Sequence, residues 1–228
     1  MLGHKQICSL IEDWRDQTFT EHRMNDRNQV RTYVYDARNR ETQSVWDDGV
    51  TPTVGFLSLM SHGKGLGLLA DAFAELNIPN ARLRVAGAMT NADKPLVATI
   101  RHKLGDRVEF LPNIERDAKI AFLQSLSVLS VPTLYREAFG LYLLEALACA
   151  VPVVQPRHGA FPELIAATGG GLLCEPNDAH SLAAALRELL TDAPRARQLG
   201  QAGRAAVQQK FSVEKMAEQV EATFASVR

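Results

Sequence analysis

Cysteine is scarce in this sequence, with three residues (Cys8, Cys149 and Cys174) among 228. Their number is odd and their spacing fits no metal site, so we expect neither a disulfide framework nor a zinc-binding motif. The chain also has no run of about 18 apolar residues and no apolar stretch near its N-terminus that would be typical of a signal peptide. These absences predict a protein without a membrane span, in a reducing compartment such as the cytoplasm.

An excess of charge of either sign is absent as well. The sequence has 25 Lys and Arg against 26 Asp and Glu, which gives a formal net charge of −1. We therefore expect no general affinity for nucleic acids or anionic membranes. Apolar residues make up 46% and charged residues 22% of the chain, and both values are typical of a soluble α/β protein.

From Thr53 onward, short apolar runs alternate with patterns of helical period. Strands are predicted over residues 53–59, 82–87, 107–111, 127–132, 151–154 and 171–174. Between them apolar residues recur at helical spacing, as Leu69, Phe73 and Leu76 do. This alternation predicts parallel βαβ units with right-handed crossovers. We expect an α/β fold, a Rossmann-like parallel sheet with helices on both faces, over residues 51–228.

The first 50 residues differ from the rest in having dense mixed charge and few aliphatic side chains. Apolar spacing predicts a short amphipathic helix over residues 7–14, and alternation predicts a strand over residues 31–35. The segment is shorter than a complete domain of roughly 100 to 150 residues. We therefore interpret residues 1–50 as a charged N-terminal segment that is not a full domain.

One stretch, residues 136–154, carries the strongest signal for a binding site. It reads as a loop, a helix from Leu141 to Ala148 and a buried strand. The helix follows another buried strand, so it begins at the carboxyl edge of the sheet, where open α/β sheets bind ligands. Gly140 allows a ligand to approach the backbone, and the free amides of Gly140, Leu141 and Tyr142 form an anion site.

Two carboxylates flank this helix start: Glu137 precedes it and Glu145 lies one turn inside. An ionised carboxylate only accepts hydrogen bonds, so beside a phosphate site it suits sugar hydroxyls. A second anion-binding element is predicted after the first strand of the sheet, where Lys64 stands between Gly63 and Gly65. The spacing is not that of a Walker loop. Taken singly, these residues also fit a solvated first helical turn and a solvated turn lysine.

Glu137 and Glu145, eight positions apart around Gly140, resemble the E-x7-E motif of retaining, family-4-type glycosyltransferases of the GT-B fold. Further segments look like the next signatures of that family: residues 151–154, 159–165, 169–173 and 175–178. The similarity runs from about Thr53 to the C-terminus. It implies that the chain is the C-terminal, donor-binding half of a GT-B enzyme.

The resemblance also implies an activity: transfer of a hexosyl group, with retention, from a nucleotide-diphospho-sugar such as a UDP- or GDP-hexose. The resemblance implies that Glu137 and Glu145 are the catalytic residues, with Glu137 on the sugar hydroxyls near the reacting carbon and Glu145 on the ribose hydroxyls. Lys64 matches the lysine that neutralises the diphosphate, and Gly159 begins a loop that lies against the donor sugar. The arginine that the family places after the glycine of the first strand is Phe56 here.

No cofactor or metal is expected besides the donor substrate. The sequence contains no D-x-D, so a metal-dependent sugar-nucleotide site of that kind is not indicated, and the anion site would take the place of the metal. The acceptor is unknown. An isolated donor half would expose the apolar face that an acceptor domain covers, so we expect a tendency to self-association.

Two other interpretations remain open. The chain fits a non-catalytic module that binds a sugar nucleotide, or docks to a partner, and needs an acceptor domain from elsewhere. The other interpretation is a GT-B epimerase, an enzyme that uses carboxylates and histidines for proton transfer. Separately, His62 and His158 are candidate catalytic residues. Neither histidine has a partner at triad spacing, so we interpret both as loop histidines.

Overall fold

The computed structural model describes residues 19–24, 30–35, 51–78 and 80–226. The chain divides into two compact units: one is Pro52–Phe211, and the other combines Met1–Thr51 with Ser212–Arg228. The helix predicted over residues 7–14 lies outside the described residues. The proposed domain limits of 51–228 stay a prediction.

The described residues form eight strands. They are β1 (Phe19–Met24), β2 (Val30–Tyr35), β3 (Thr53–Leu57), β4 (Arg82–Gly87), β5 (Val108–Pro112), β6 (Val128–Leu129), β7 (Val153–Pro156) and β8 (Gly171–Cys174). β1 and β2 pair as an antiparallel ladder, and β2 confirms the strand predicted over residues 31–35. The other six form one parallel sheet in the order β5-β4-β3-β6-β7-β8.

The described residues also form eight α-helices. They are α1 (Leu66–Glu75), α2 (Lys94–Leu104), α3 (Arg116–Gln124), α4 (Leu141–Ala148), α5 (Phe161–Thr168), α6 (Ala179–Thr191), α7 (Ala193–Lys210) and α8 (Val213–Ser226). α4 has the bounds that the sequence predicts. None of the helices in this part of the chain combines the length and the apolarity that crossing a bilayer requires.

The order of the sheet reverses between β3 and β6. From β3 the chain steps outward to β4 and β5, and from β6 it steps the opposite way to β7 and β8. Right-handed crossovers in opposite directions place their helices on opposite faces. In agreement, α1 contacts α2 and α6, and α7 contacts α4 and α5. The consecutive helices α6 and α7 also contact each other. This confirms the Rossmann-like sheet with helices on both faces.

The centre of the sheet is the core of this unit. Every residue of β3 is buried, as expected for a parallel strand that is covered on both faces. Phe56 in β3 and Val154 in β7 have no exposed surface, and neither has Phe73 of α1. The buried strands are therefore continuous apolar runs, which is the pattern that made them recognisable in the sequence.

Helix α7 lies close to the backbone of Ala150 at the buried Gly200. A Cβ atom at this position would lie 2.0 Å from the carbonyl oxygen of Ala150, a backbone atom that cannot rotate away. In an exposed helix, replacing glycine by alanine gains about 1 kcal/mol. Here we expect Gly200→Ala to lower the free energy of unfolding by about 1–3 kcal/mol in urea titrations, because the added methyl group would push the helix away from the backbone of Ala150.

The matched control is Gln201→Ala, at the next position of the same helix, where the side chain is exposed. It should change the free energy of unfolding by less than about 0.5 kcal/mol. A stabilising effect of Gly200→Ala would contradict this account of the packing.

Candidate functional site

The candidate site lies where the strand order reverses, at the carboxyl ends of β3 and β6. These strands are hydrogen-bonded neighbours, with Gly55 opposite Leu129, so the loops that follow them begin side by side. The two loops touch through their backbones: the Leu134 amide donates to the Gly63 carbonyl at 3.0 Å. Because the crossovers leave in opposite directions, a crevice opens here, and ligands of open α/β sheets bind at such a point.

Lys64 and Glu137 meet in this crevice. The Lys64 Nζ lies 2.6 Å from Oε2 of Glu137, although 73 residues separate them in the sequence. The Tyr142 hydroxyl donates to the same oxygen at 3.1 Å. Two rings flank the ammonium, with centroids 5.2 Å away for Tyr135 and 5.7 Å away for Tyr142. The structure thus brings together three residues that the sequence singles out, and adds Tyr135.

The surroundings shift the pKa values of Lys64 and Tyr142. Burial lowers the pKa of Lys64, but the hydrogen bonds and negative charge of Glu137, together with Tyr135, outweigh it and leave that pKa above the ordinary 10.5. Burial, and then the charge of Glu137, raise the pKa of the Tyr142 hydroxyl well above its usual range. At neutral pH the site therefore holds an ammonium ion and a hydroxyl that remains a donor.

The second carboxylate, Glu145, lies inside α4 and is 8% exposed. The Lys119 Nζ, from α3, lies 2.7 Å from its Oε1. The sequence carries no signal for Lys119, which is one more charged residue of a short helix with no motif around it. Only the tertiary structure, which brings the two side chains together, joins this lysine to the site.

Gly140 forms the start of α4 with a left-handed backbone, at φ 80° and ψ 57°. A Cβ atom there would lie 3.1 Å from the ring of Phe161, so the position combines backbone strain with limited space for any other residue. Glycine has no side chain to cap the helix. The amides of Gly140, Leu141 and Tyr142 thus belong to the group of helix-start donors that have no intrahelical acceptor and can bind an anion.

A third loop, after β7, lies against the main chain of Glu137. The Ala160 amide donates to the Glu137 carbonyl at 2.9 Å. His158 donates from Nε2 to the carbonyl of Thr133 at 3.0 Å, which fixes its tautomer and ties this loop to the one after β6. His62 is exposed. The two histidines are therefore loop residues in this structure, as the sequence indicates.

Phe56 occupies the place where the resemblance locates an arginine. It lies in β3 and is fully buried in the apolar core. Residue 56 therefore supplies no charge to the crevice, and Lys64 is the cation that the loop after β3 brings to Glu137.

Gly159 holds the third loop close to Glu137, and this contact can be tested. Its φ is +58°, and a Cβ atom would lie 2.5 Å from the Glu137 carbonyl oxygen and 2.6 Å from its amide nitrogen. Gly159→Ala must therefore move one of the two loops. We expect it to lower the free energy of unfolding by at least about 1 kcal/mol more than the control below, measured in urea.

The control is Gly169→Ala. Gly169 has nearly the same φ, +63°, but a Cβ atom there would meet nothing closer than Ala202, at 3.9 Å. Gly169→Ala should lower the free energy of unfolding only by the cost of an alanine in the left-handed backbone conformation, about 1–2 kcal/mol. Equal losses from the two substitutions would show that the contact between Gly159 and Glu137 is unimportant.

Comparison with known proteins identifies the family. Residues 40–206 match the family described as Glycosyl transferases group 1. The chain belongs to this family. The match covers the whole of the crevice described above.

Curated relatives agree with this assignment. A D-inositol 3-phosphate glycosyltransferase from Corynebacterium aurimucosum is 34% identical over 183 residues, covering 77% of this chain and 43% of the relative. An N-acetyl-alpha-D-glucosaminyl L-malate synthase from Bacillus anthracis is 37% identical over 122 residues, covering 54% of this chain and 31% of the relative. The chain thus spans about a third to a half of the length of the curated relatives it matches.

Solved structures show the same fold. A sucrose-phosphate synthase from Thermosynechococcus elongatus superposes with a TM-score of 0.71 at 30% identity, over 78% of this chain and 45% of that one. Anabaena HepE in complex with UDP and glucose gives 0.68 at 25% identity, over 78% and 50%. The C-terminal domain of a group 1 glycosyl transferase from Francisella tularensis gives 0.64 at 24%, over 74% and 91%. These similarities confirm the fold as the C-terminal half of a GT-B glycosyltransferase.

Proposed function

We propose that this chain is the donor-binding half of a retaining glycosyltransferase that transfers a hexosyl group from a nucleotide-diphospho-sugar. The observation that carries the proposal is the contact between Lys64 and Glu137 at the reversal of strand order. A cation suited to a diphosphate and a carboxylate suited to a sugar stand together where this type of sheet binds ligands. Membership of the group 1 family supports the same assignment.

The diphosphate binds at the start of α4. Its oxygens take hydrogen bonds from the amides of Gly140, Leu141 and Tyr142 and from Lys64. An ammonium group has three donors, so Lys64 can keep one on Glu137 while another reaches a phosphate oxygen. Glu137 then stands beside the sugar, and Gly159 allows the third loop to lie close to it.

The nucleoside is held at Glu145. One of its oxygens, Oε1, is taken by Lys119, and Oε2 remains to accept hydrogen bonds from the ribose hydroxyls. The relatives include a GDP-mannose-dependent mannosyltransferase from Corynebacterium glutamicum, 30% identical over 75% of this chain, and HepE contains UDP. We therefore propose a UDP- or GDP-hexose as the donor.

The fixed donors of the crevice act on the leaving group. During glycosyl transfer, negative charge grows on the departing diphosphate, so donors that are already in place stabilise the transition state more than the bound donor. Lys64 and the helix start would do this without a metal ion. The acceptor, and the part of the cleft that holds it, would come from an acceptor domain.

One specific observation favours a second candidate, a module that binds the sugar nucleotide without turning it over. The fully buried Phe56 stands where the resemblance places a second cation. Exposed apolar side chains at this edge of the sheet, Leu59, Tyr135 and Phe139, would serve as a surface for a second copy or an acceptor domain.

Calorimetric titration with UDP, GDP and their hexose conjugates tests the donor site. We expect saturable binding of one nucleotide, and we expect Glu145→Ala to raise its Kd at least about ten-fold, because hydrogen bonds to the ribose are lost. Glu188→Ala is the matched control, since this exposed glutamate lies on α6. It should leave the Kd unchanged.

A second measurement in the same samples separates the two candidates. It follows the release of hexose from the conjugate that binds. Turnover that is lost in Glu145→Ala supports the transferase. Tight binding without turnover, alone or with candidate acceptors, supports the module. A folded wild-type protein that binds none of these nucleotides would rule out both.

A further inference from the structure

The pair formed by Lys119 and Glu145 differs from the ion pairs on the surface of the molecule. Its side chains are 15% and 9% exposed, with 2.7 Å between Nζ and Oε1. In the pair formed by Lys103 and Asp71, also a lysine joined to a carboxylate on another helix, the side chains are 43% and 56% exposed. A pair taken so far out of water gains little net stability, because desolvation offsets the attraction between the charges. A gain in stability therefore does not explain why this pair lies inside the candidate site.

The position of the pair suggests a role in binding. Lys119 approaches from α3, and Glu145 lies on α4, the helix whose first amides form the anion site. Lys119 occupies Oε1 of the carboxylate and leaves Oε2. A lysine held on one oxygen of the carboxylate fixes the direction in which the other oxygen faces.

We propose that Lys119 is a positioning residue that sets Glu145 to recognise the two hydroxyls of the ribose. This inference rests on the proposed function, in which Glu145 binds that sugar. Lys119 acts through Glu145 and does not touch the nucleotide itself. It determines specificity, because a fixed acceptor favours ribose over a sugar without hydroxyls, which would cover the second oxygen of Glu145 without giving it a hydrogen bond.

The test compares UDP with 2′,3′-dideoxy-UDP, or the corresponding guanosine pair if GDP is the nucleotide that binds. In Lys119→Met we expect the Kd for the natural nucleotide to rise about ten-fold or more. The Kd for the dideoxy analogue should change less than about three-fold. Poorer folding would weaken the binding of both ligands alike. The ratio of the two affinities would therefore not change if Lys119 had only a structural role.

Two further variants serve as controls. Lys119→Arg keeps the charge and should retain most of the preference for ribose. Lys103→Met removes the exposed pair with Asp71 and should leave both affinities unchanged. Equal weakening of both ligands by Lys119→Met, or no effect on either, would overturn the proposal.

A double variant covers the case in which Lys119→Met does not fold. Lys119→Met combined with Glu145→Gln leaves no unpaired buried charge between these positions. If Lys119 acts only through Glu145, this protein and Glu145→Gln alone should show the same ratio of affinities. A different ratio would overturn the proposal by showing that the lysine meets the nucleotide directly.

The wild-type titration distinguishes this inference from the function on which it rests. A folded wild-type protein that binds neither UDP nor GDP would overturn the proposed donor site, and the role of Lys119 with it. Wild-type binding with an unchanged affinity ratio in Lys119→Met would overturn the role of Lys119 alone.

Discussion

The reversal of strand order between β3 and β6 is the constraint on which the candidate site depends. Two parallel neighbours whose crossovers leave in opposite directions have no helix packed over the gap between their carboxyl ends. The loops after them are therefore free to meet each other. They do so at the backbone, where Leu134 bonds to Gly63, and a Cβ atom at Gly65 would lie 1.8 Å from the carbonyl oxygen of Pro132. The ion pair between Lys64 and Glu137 follows from that contact.

The charges of the crevice are arranged in pairs. Each of the two carboxylates at the start of α4 has a lysine on one oxygen, Lys64 on Glu137 and Lys119 on Glu145. Two unpaired carboxylates would repel a diphosphate at short range, where the low dielectric of a partly buried site strengthens every charge. Pairing each carboxylate with a lysine offsets that repulsion. The site can then combine an anion-binding helix start with acceptors for sugar hydroxyls.

The family assignment and the activity rest on different grounds. The match over residues 40–206 and the superposition on GT-B structures concern the half of those proteins that this chain represents. Glycosyl transfer requires the acceptor to be held beside the donor, and here that task would fall to an acceptor domain. The proposed donor binding and the proposed turnover therefore have to be measured separately. The buried Phe56 is a further reason to separate binding from turnover, since residue 56 adds no charge to the crevice.

The sequence by itself determined the local elements of this protein. Helix α4 has its predicted bounds because Gly140 begins it and strong helix formers fill it, and β4 and β8 also agree with the apolar runs at residues 82–87 and 171–174. The run over residues 127–132 predicted too long a strand. In the structure β6 ends at Leu129. The Ser130 amide still donates to the Gly55 carbonyl of β3, but the Val131 amide then donates to the side chain of Gln155 instead of to a strand backbone.

Only the tertiary structure decided which of these elements meet. The sequence suggested Lys64 and Glu137 separately, but 73 residues divide them, and periodicity says nothing about which loops adjoin. Their contact depends on the order of the strands. No pattern in the sequence identified Lys119 as a site residue, because its partner, Glu145, lies 26 residues away on another helix. Local patterns follow from the preferences of neighbouring residues, whereas the pairing of distant charges follows from the packing of the whole sheet and its helices.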